Sequence, residues 1–309
     1  MANQADLARI FTVAKLYYEE NLTQAEVAVR VGVSRPLVSK LLSEARECGI
    51  VHIEVRNVVS GNGKLLQQLV NKFNIVGGLV VPNAKTAATQ RNNLYEQAAH
   101  YLVEEGASQK NVGMGWGPAV NELMWTLSRQ VVPSVNGNIF PLIGEANIAN
   151  KGYQINEIVA MLANYTGRKA RFLYAPAFPD NIEERKLYIQ SSSFQDLNKL
   201  WNQIDTAMVS VYDYPTVLDE NTVMRFGEEL KTGKAVGNLL SYFYDVEGNI
   251  IQGKNDCAIH IPLDKLCKSK KVICFVDKAT PQAVHGALKT GLLTHIILTE
   301  QMAEQVLAF

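Results

Sequence analysis

Residues 23–48 read TQAEVAVRVGVSRPLVSKLLSEAREC, and this stretch contains two short helical patterns separated by a glycine turn. Thr23 and Glu26 have the spacing of a capping box, in which each side chain accepts a hydrogen bond from the other residue's backbone amide. Gly32 stands where a helix end favours a left-handed residue, and Ser34 then serves as the N-cap of the next helix. The stretch therefore predicts a helix, a tight turn and a second helix.

The flanking sequence extends this pattern on both sides. Apolar residues between positions 5 and 20 recur largely at helical spacing, which predicts an amphipathic helix before the turn motif. Residues 50–55 alternate apolar and polar, the pattern of a short half-buried strand. Together these elements predict an N-terminal winged helix-turn-helix domain over residues 1–56. In such motifs the second helix of the pair enters the major groove of DNA.

The polar residues that begin the two helices are the candidates for DNA contact. Arginine and lysine can donate to guanine O6 and N7, and serine can reach a base or a phosphate. Residues at the start of the preceding helix are placed for a phosphate oxygen. The predicted DNA-binding residues are Thr23, Gln24, Ser34, Arg35, Pro36, Ser39 and Lys40.

Charge does not by itself decide between DNA binding and a three-helix packing unit without that function. The formal net charge of the chain is zero, and residues 1–56 contain equal numbers of basic and acidic side chains. Such a module should bind non-specific DNA weakly and with a shallow salt dependence. The acidic residues Glu19, Glu20 and Glu26 precede the second helix, however, whereas Arg35 and Lys40 lie on it. This asymmetry favours a surface that faces the groove.

Composition narrows the class of protein further. Hydrophobic residues make up 47% of the chain and charged residues 19%, which favours a packed core over disorder. The four cysteines have no metal-ligand spacing, so we expect free thiols, no metal and no cofactor. The first twenty residues are interrupted by charges, and no apolar run approaches the length of a membrane span. We therefore expect a cytoplasmic protein without a membrane partner.

Residues 57–64 are rich in turn formers and predict a linker, after which the pattern changes. Short apolar runs alternate with helical segments, which predicts a Rossmann-like α/β domain with a largely parallel sheet over residues 65–309. The predicted strands are 78–81, 112–114, 139–143, 171–174, 206–211, 272–276 and 295–298.

A glycine turn follows the second of these strands and precedes a helix predicted over residues 118–127. The turn consists of Gly113, Gly115, Trp116 and Gly117. Exposed amides at a glycine-lined helix start can bind a phosphate, and ligands of open α/β sheets sit beyond the carboxyl ends of the strands. The alternative is a tight structural turn in which Trp116 fills the core.

Polar residues follow several other predicted strands and form the rest of the candidate ligand site. Carboxylates and amides accept hydrogen bonds from the hydroxyls of a sugar or polyol. Individually, an acid at a strand end is more often a solvated cap, and His285 is more simply a packing residue than a ligand contact. The candidates are Glu145, Asn147, Asp213, Asp277 and Lys278.

The segment 16–51, LYYEENLTQAEVAVRVGVSRPLVSKLLSEARECGIV, resembles the SorC/DeoR-type family of sugar-responsive regulators. VGMGWG at 112–117, FYDVEGN at 243–249 and HGALKTG at 285–291 resemble later landmarks of that family. The resemblance implies an effector domain related in fold to sugar-phosphate isomerases and deaminases, which binds a sugar or sugar phosphate without turnover. It also implies a tetramer on operator DNA.

Three positions depart from the family pattern. Residues 275–280, FVDKAT, replace a glycine pair followed by a basic residue, so either Lys278 substitutes or the phosphate is absent. Ile143 stands where some members have an imine-forming lysine, so we expect no covalent capture. Residues 210–214, SVYDY, replace a glycine-rich turn with bulky residues. An unphosphorylated sugar or polyol therefore becomes a candidate effector.

The leading hypothesis is a DNA-binding transcriptional regulator of a carbohydrate-utilisation operon. Its expected partners are double-stranded operator DNA, a sugar, polyol or sugar-phosphate effector, and further copies of itself in a tetramer. The alternative is a sugar-phosphate isomerase or deaminase with an appended DNA-binding module. Such an enzyme needs a positioned acid/base pair, and the acids of this chain are scattered. An interaction scaffold is the third possibility.

Overall fold

Two separate apolar cores divide the chain into compact units, residues 1–60 and residues 61–309. The computed structural model describes residues 4–48, 50–51, 63–106, 109–146, 153–215 and 220–309. The predicted strand at 50–55 and the predicted linker at 57–64 lie mostly outside these ranges.

The described residues of the first unit form three helices, α1 (Gln4–Tyr18), α2 (Gln24–Val31) and α3 (Arg35–Glu47). Both hydrogen bonds of the capping box at Thr23 are present, and Gly32 ends α2 in the left-handed conformation with φ 72°. Val13, Val27 and Val38 are fully buried where the three helices meet. The predicted helix-turn-helix is thus confirmed. Its capping and turn residues depend only on neighbours a few positions away in the chain.

In the part of the chain that the structure describes, the second unit is built on a ten-stranded sheet against which helices pack. The strands are β1 (Gly77–Val81), β2 (Asn111–Met114), β3 (Asn138–Pro141), β4 (Lys169–Ala170), β5 (Thr206–Asp213), β6 (Gly237–Leu239), β7 (Tyr242–Tyr244), β8 (Ile250–Ile251), β9 (Lys271–Phe275) and β10 (His295–Thr299). The helices are α4 (Gly63–Phe73), α5 (Ala87–Gly106), α6 (Pro118–Leu127), α7 (Ile155–Thr166), α8 (Ile182–Gln190), α9 (Ser192–Trp201), α10 (Glu220–Phe226), α11 (Glu229–Thr232), α12 (Leu263–Leu266), α13 (Pro281–Lys289) and α14 (Glu300–Leu307).

Seven strands run parallel in the order β1-β10-β9-β5-β2-β3-β4, which confirms the predicted α/β class. Strands β5, β9 and β10 are almost continuously apolar, as expected for strands buried on both faces. Helices α5, α6 and α7 pack on one face, and α4, α13 and α14 form a second group. Since all seven strands are parallel, their carboxyl ends lie along one edge of the sheet.

The predicted strand at 171–174 is wrong. The fourth strand is only two residues long, at 169–170, and one further backbone bond runs from the Arg171 amide to the Ile139 carbonyl. Beyond it, the Asn156 side chain accepts from the Leu173 amide at 3.1 Å and donates to the Leu173 carbonyl at 3.0 Å. The Asn156 side chain thus replaces the neighbouring strand as the hydrogen-bond partner, and the short apolar run does not continue β4.

Strands β6, β7 and β8 were not predicted from the sequence. They are antiparallel, and β6 pairs with the end of β5. The turn between β6 and β7 is formed by Leu240 and Ser241, both with positive φ, at 49° and 70°. Two-residue hairpin turns of this kind normally contain asparagine or glycine, so the sequence offers no turn signal here.

Within the described residues, no helix combines the length and the apolar character required to cross a membrane.

We predict that Thr23→Ala lowers the free energy of unfolding of the first unit by about 1 kcal/mol, because it removes the side chain of a formed capping box. Ser34→Ala is the matched control. Ser34 is also an N-cap residue, but its side chain makes no capping hydrogen bond, so a smaller loss is expected. Urea denaturation monitored by far-UV circular dichroism measures the free energy of unfolding of both variants. Equal losses of stability would contradict the assignment of a stabilising capping box to Thr23.

Candidate functional site

The start of α3 presents a polar face that is backed by the core of the first unit. Ser34, Arg35, Pro36, Ser39 and Lys40 are all exposed. Val38, Leu41 and Leu42 on the opposite side of the same helix are buried against α1 and α2. The helix can therefore contact a groove with its polar face while its apolar face stays packed.

Two of the predicted DNA contacts also have partners within the protein. The Lys40 ammonium lies 3.7 Å from the Glu44 carboxylate, and both groups are exposed. An exposed pair of this kind is weak and leaves Lys40 able to reach a phosphate or a base. The Thr23 hydroxyl donates to Glu26 at 2.8 Å, so it belongs to the capping box, and Gln24 is the half-buried residue beside it.

The glycine turn of the second unit lies at the carboxyl end of β2, as predicted, but its glycines have different roles. A side chain at Gly113 would meet Leu142 and Ile204, so this residue is required for close packing in the core. A side chain at Gly115 would meet Leu240 at 2.8 Å. Gly117 is the N-cap of α6 and has a φ of 118°, a backbone conformation that residues with side chains rarely adopt.

Tyr212 occupies the space above Gly117. A Cβ atom at position 117 would lie 1.7 Å from the Tyr212 hydroxyl oxygen, and that hydroxyl donates to the Trp116 carbonyl at 3.3 Å. Burial raises the pKa of the Tyr212 phenol, so it remains a neutral donor. The glycine-lined start of α6, which the sequence suggested as a phosphate site, is thus covered by a phenol ring.

Trp116 is 8% exposed and forms the centre of an aromatic cluster. Its ring makes edge contacts with Tyr153, at a centroid distance of 5.6 Å, and with Phe178, at 5.9 Å. These contacts agree with the alternative in which Trp116 fills the core, and its role in a ligand site stays a prediction. Aromatic faces with a few polar groups beside them are typical of small-molecule sites.

An arginine-carboxylate pair adjoins this cluster. Arg225 is 3% exposed, lies 4.4 Å from the Phe178 ring centroid and donates through Nε to Asp256 at 2.9 Å. Burial alone would raise the pKa of the Asp256 carboxyl, but the hydrogen bond and charge of Arg225 outweigh it and hold the pKa below its usual value. The pair is therefore charged and supplies both donors and acceptors.

Arg225 and Phe178 line a groove of about 390 Å³. Its size lies within the range of small-molecule pockets. Its lining includes Phe178, Asp180, Asn181, Arg225, Asn255 and Cys257. The groove thus combines one aromatic wall with amides, carboxylate and guanidinium, a set of groups that suits a polyhydroxylated ligand.

Glu145 caps a helix. Its carboxylate accepts hydrogen bonds from the backbone amides of Ile155, at 3.1 Å, and Asn156, at 2.9 Å, at the start of α7. Burial raises the pKa of the Glu145 carboxyl, and these amides oppose the shift without cancelling it. Both oxygens therefore have protein partners, although the residue lies at the predicted strand end.

The two remaining predicted acids, Asp213 and Asp277, have different surroundings. Asp213 accepts from the Thr280 amide at 2.7 Å and thereby fixes the turn before α13. Asp277 instead accepts from the Tyr95 hydroxyl at 2.9 Å and lies 3.4 Å from Arg91 on α5. Lys278 is exposed. Asp277 therefore lines a different groove, beside α5.

The sequence also singled out Asn147, Ile143 and His285. Asn147 lies outside the described residues. Ile143 is fully buried and forms a bridge with His260, so the position of the family's imine-forming lysine is here part of the core. His285 is buried between Phe73 and Phe309, in agreement with a packing role.

Sequence reasoning missed Tyr153, Phe178, Arg225 and Asp256. Arg225 stands in the apolar segment VMRF, and a charged residue on the inner side of a short helix is a signal for a buried pair. Its partner is 31 residues away in the chain. No spacing rule connects two such positions, because the fold brings them together.

The family described as "Putative sugar-binding domain" matches residues 58–308. The sorbitol operon regulator of Klebsiella pneumoniae is 26% identical over 321 residues, which cover 99% of this chain and 100% of that protein. The deoxyribonucleoside regulator of Bacillus subtilis is also 26% identical, over 95% of both chains.

Solved structures agree with these sequence matches. The crystal structure of the full-length sorbitol operon regulator SorC from Klebsiella pneumoniae superposes with a TM-score of 0.83 and 25% identity, over 99% of this chain and 100% of that one. The probable sor operon regulator from Shigella flexneri, 21% identical with a TM-score of 0.69, shares the fold over 80% of this chain and 99% of that one. The chain therefore belongs to the SorC/DeoR-type family of regulators that carry this sugar-binding domain.

Proposed function

We propose that this protein is a DNA-binding transcriptional regulator of a carbohydrate-utilisation operon, controlled by a ligand in its second unit. The observation that carries the proposal is the exposed face of α3 from Ser34 to Lys40, held by a buried apolar core. In a helix-turn-helix this is the face that enters the major groove. Residues 1–56 would bind DNA, residues 57–64 would connect the units, and residues 65–309 would bind the effector and further subunits.

The proposed effector is an unphosphorylated sugar or polyol that binds beside Trp116, Phe178 and Arg225. Tyr212 covers Gly117, and this removes the glycine-lined helix start that would otherwise attract a phosphate. The Arg225–Asp256 pair can both donate to and accept from hydroxyl groups. The sorbitol operon regulator among the relatives supports a ligand of this class.

The proposed assembly is a homotetramer in the cytoplasm. One DNA-binding helix such as α3 contacts only a few base pairs. Symmetric copies of the protein bring several such helices to successive major grooves of the DNA. The equal numbers of acidic and basic residues over positions 1–56 add to the need for several copies, because a neutral module gains little from counterion release.

The enzyme alternative receives less support. Isomerase or deaminase chemistry needs an acid or base with an accessible proton-transfer atom near the substrate. Glu145 has both oxygens engaged at α7, and Asp256 is paired with Arg225. The relatives reported above are regulators, which also favours regulation over turnover.

For DNA binding, we expect Arg35→Ala to cost about 1–3 kcal/mol of affinity for the operator, the magnitude of a bidentate contact to guanine. Affinity is measured by fluorescence anisotropy on a duplex selected from the DNA flanking the gene, at physiological salt. Arg46→Ala, which removes the same charge near the other end of α3, is the matched control and should cost less.

The same titrations distinguish a base contact from a phosphate contact. A base contact at Arg35 predicts that Arg35→Ala leaves the affinity for random DNA nearly unchanged. An equal loss on operator and random DNA would assign Arg35 to the phosphate backbone. No preference of the unmodified protein for any selected duplex would contradict the regulator proposal.

For the effector, we expect hexitols such as sorbitol to raise the melting temperature more than their phosphates do. Tyr212→Ala uncovers Gly117 and should shift the ratio of the two affinities towards the phosphate by about tenfold or more, the effect of one or two charge-assisted hydrogen bonds. Tyr212→Phe keeps the ring above Gly117, so its ratio should remain that of the unmodified protein. Thermal shift titrations of the unmodified protein and both variants measure the two affinities. An unchanged ratio of hexitol to phosphate affinity in Tyr212→Ala would refute the covering role of Tyr212.

A further inference from the structure

An arginine on α5 joins two segments that border the Trp116 turn. The Arg91 guanidinium donates through Nη1 to Glu122 at 2.6 Å, and through Nη2 to the other oxygen of the same carboxylate. Nη2 also lies 3.4 Å from a carboxylate oxygen of Asp277. Glu122 belongs to α6 and Asp277 follows β9, so Arg91 connects two elements that are far apart in the chain.

Tyr95 holds the Asp277 side of this bridge. Its hydroxyl donates to the same Asp277 oxygen at 2.9 Å and accepts from Arg91 Nη2 at 3.3 Å. Burial and the charge of Asp277 raise the pKa of the Tyr95 phenol, so it is a neutral donor. The Asp277 side chain is 10% exposed. Two donors one turn apart on α5 therefore fix its position.

The bridge closes a ring of contacts around the carboxyl ends of β2, β5 and β9. The Thr280 amide donates to Asp213 at 2.7 Å, and the Tyr212 hydroxyl donates to the Trp116 carbonyl at 3.3 Å. Short stretches of backbone connect the remaining neighbours. In order around the ring, the residues are Arg91, Asp277, Thr280, Asp213, Tyr212, Trp116, Gly117 and Glu122.

Apolar packing fixes α6 less completely than this bridge does. Val120, Leu123 and Met124 are buried on α6, but hydrophobic contact is non-directional, and packed helices can slide past one another by about 1–2 Å. A bidentate arginine–carboxylate pair fixes direction as well as distance. An isolated exposed ion pair contributes little, whereas bidentate geometry within a network of charges is the case in which such a pair holds its position. The Arg91 bridge therefore sets the register of α6 against α5 and the segment after β9.

We propose that Arg91 is a positioning residue for the effector site: through Glu122 and Asp277 it holds the ring in register and keeps Tyr212 seated over Gly117. Arg91 acts through these two carboxylates, and it does not belong to the lining of the proposed effector groove. The inference rests on the proposed function, in which the ligand binds beside Trp116. Its consequence is that a residue outside the groove controls the choice between a polyol and its phosphate.

Hydrogen–deuterium exchange of the full-length protein without ligand tests the positioning directly. Arg91→Met removes the charged fork but keeps an unbranched side chain that can pack on the Tyr95 ring. The amides of residues 117–122 and 277–280 should exchange about twofold faster or more, because mutations in a coupling network change local free energies on this scale. Arg129→Met is the matched control. It removes an exposed arginine just beyond the other end of α6 and should leave both segments unchanged.

Unchanged exchange of both segments in Arg91→Met would overturn the proposal, whether or not a sugar binds. The outcome is therefore separate from that of the proposed function. If neither sorbitol nor its phosphate binds the unmodified protein, the proposed effector class is wrong, and the exchange rates still decide whether Arg91 positions the turn.

Thermal shift titrations with sorbitol and its phosphate test the link to ligand choice. In Arg91→Met the ratio of the two affinities should shift towards the phosphate by about threefold or more, because a loosened ring uncovers Gly117. A general loss of stability would weaken both ligands alike. An unchanged ratio would therefore assign Arg91 a purely structural role and refute the proposal.

A double-mutant cycle tests whether Arg91 acts through Tyr212. In the Tyr212→Ala background the cover is already absent, so Arg91→Met should produce no further shift of the ratio. A full additional shift would contradict action through Tyr212.

Glu122→Gln is the second variant if Arg91→Met does not fold. It keeps the shape of the side chain and one acceptor oxygen but loses the charge, so a smaller shift of the ratio in the same direction is expected. Arg91→Lys restores the charge, but a single ammonium lacks the fork that holds two carboxylates, so its ratio should lie between those of Arg91→Met and the unmodified protein. A normal ratio in folded Glu122→Gln would contradict the bridge.

Discussion

The parallel pairing of β5 with β2 on one side and with β9 on the other is the constraint on which the second unit depends. It places the carboxyl ends of the three central strands together, and with them the Trp116 turn, Tyr212 and the loop that carries Asp277. It also places their amino ends together, where Val112 and Thr206 line a largely apolar cavity beside α5, α6 and α7. One sheet thereby separates a polar, aromatic-lined edge from a largely apolar interior space.

The helix-turn-helix and most parallel strands were predictable because their determinants are local. Thr23 bonds to a residue three positions away, Gly32 needs only its own backbone conformation, and α6 starts and ends at the predicted residues. The prediction at 171–174 was wrong because a short apolar run does not reveal which group will satisfy the hydrogen bonds of the backbone. In the folded chain that group is the side chain of Asn156.

The candidate site was predictable only in outline. The rule that ligands of α/β sheets bind at the carboxyl edge located the turn at 113–117, and the bulky residues at 210–214 indicated a changed pocket. The Arg225–Asp256 pair depends instead on a long-range contact, and the burial of Arg168 depends on how three helices pack over the sheet. Neither the ion pair nor the burial of Arg168 can be predicted from the spacing of residues in the sequence. The glycines also required the structure, since Gly113 and Gly117 look equivalent in sequence but face different surroundings.

The turn at Leu240 and Ser241 has a consequence for the order in which the chain folds. Both residues adopt left-handed backbone conformations that disfavour side chains, so the β6–β7 hairpin has little tendency to form in isolation. The buried Leu240 side chain packs on Gly115, which is distant in sequence and already belongs to the central sheet. Loop-closure entropy delays contacts of this kind until their partners are in place. The hairpin should therefore assemble late, onto a sheet that has formed without it, and its amides should be among the first of the sheet to exchange with solvent deuterium.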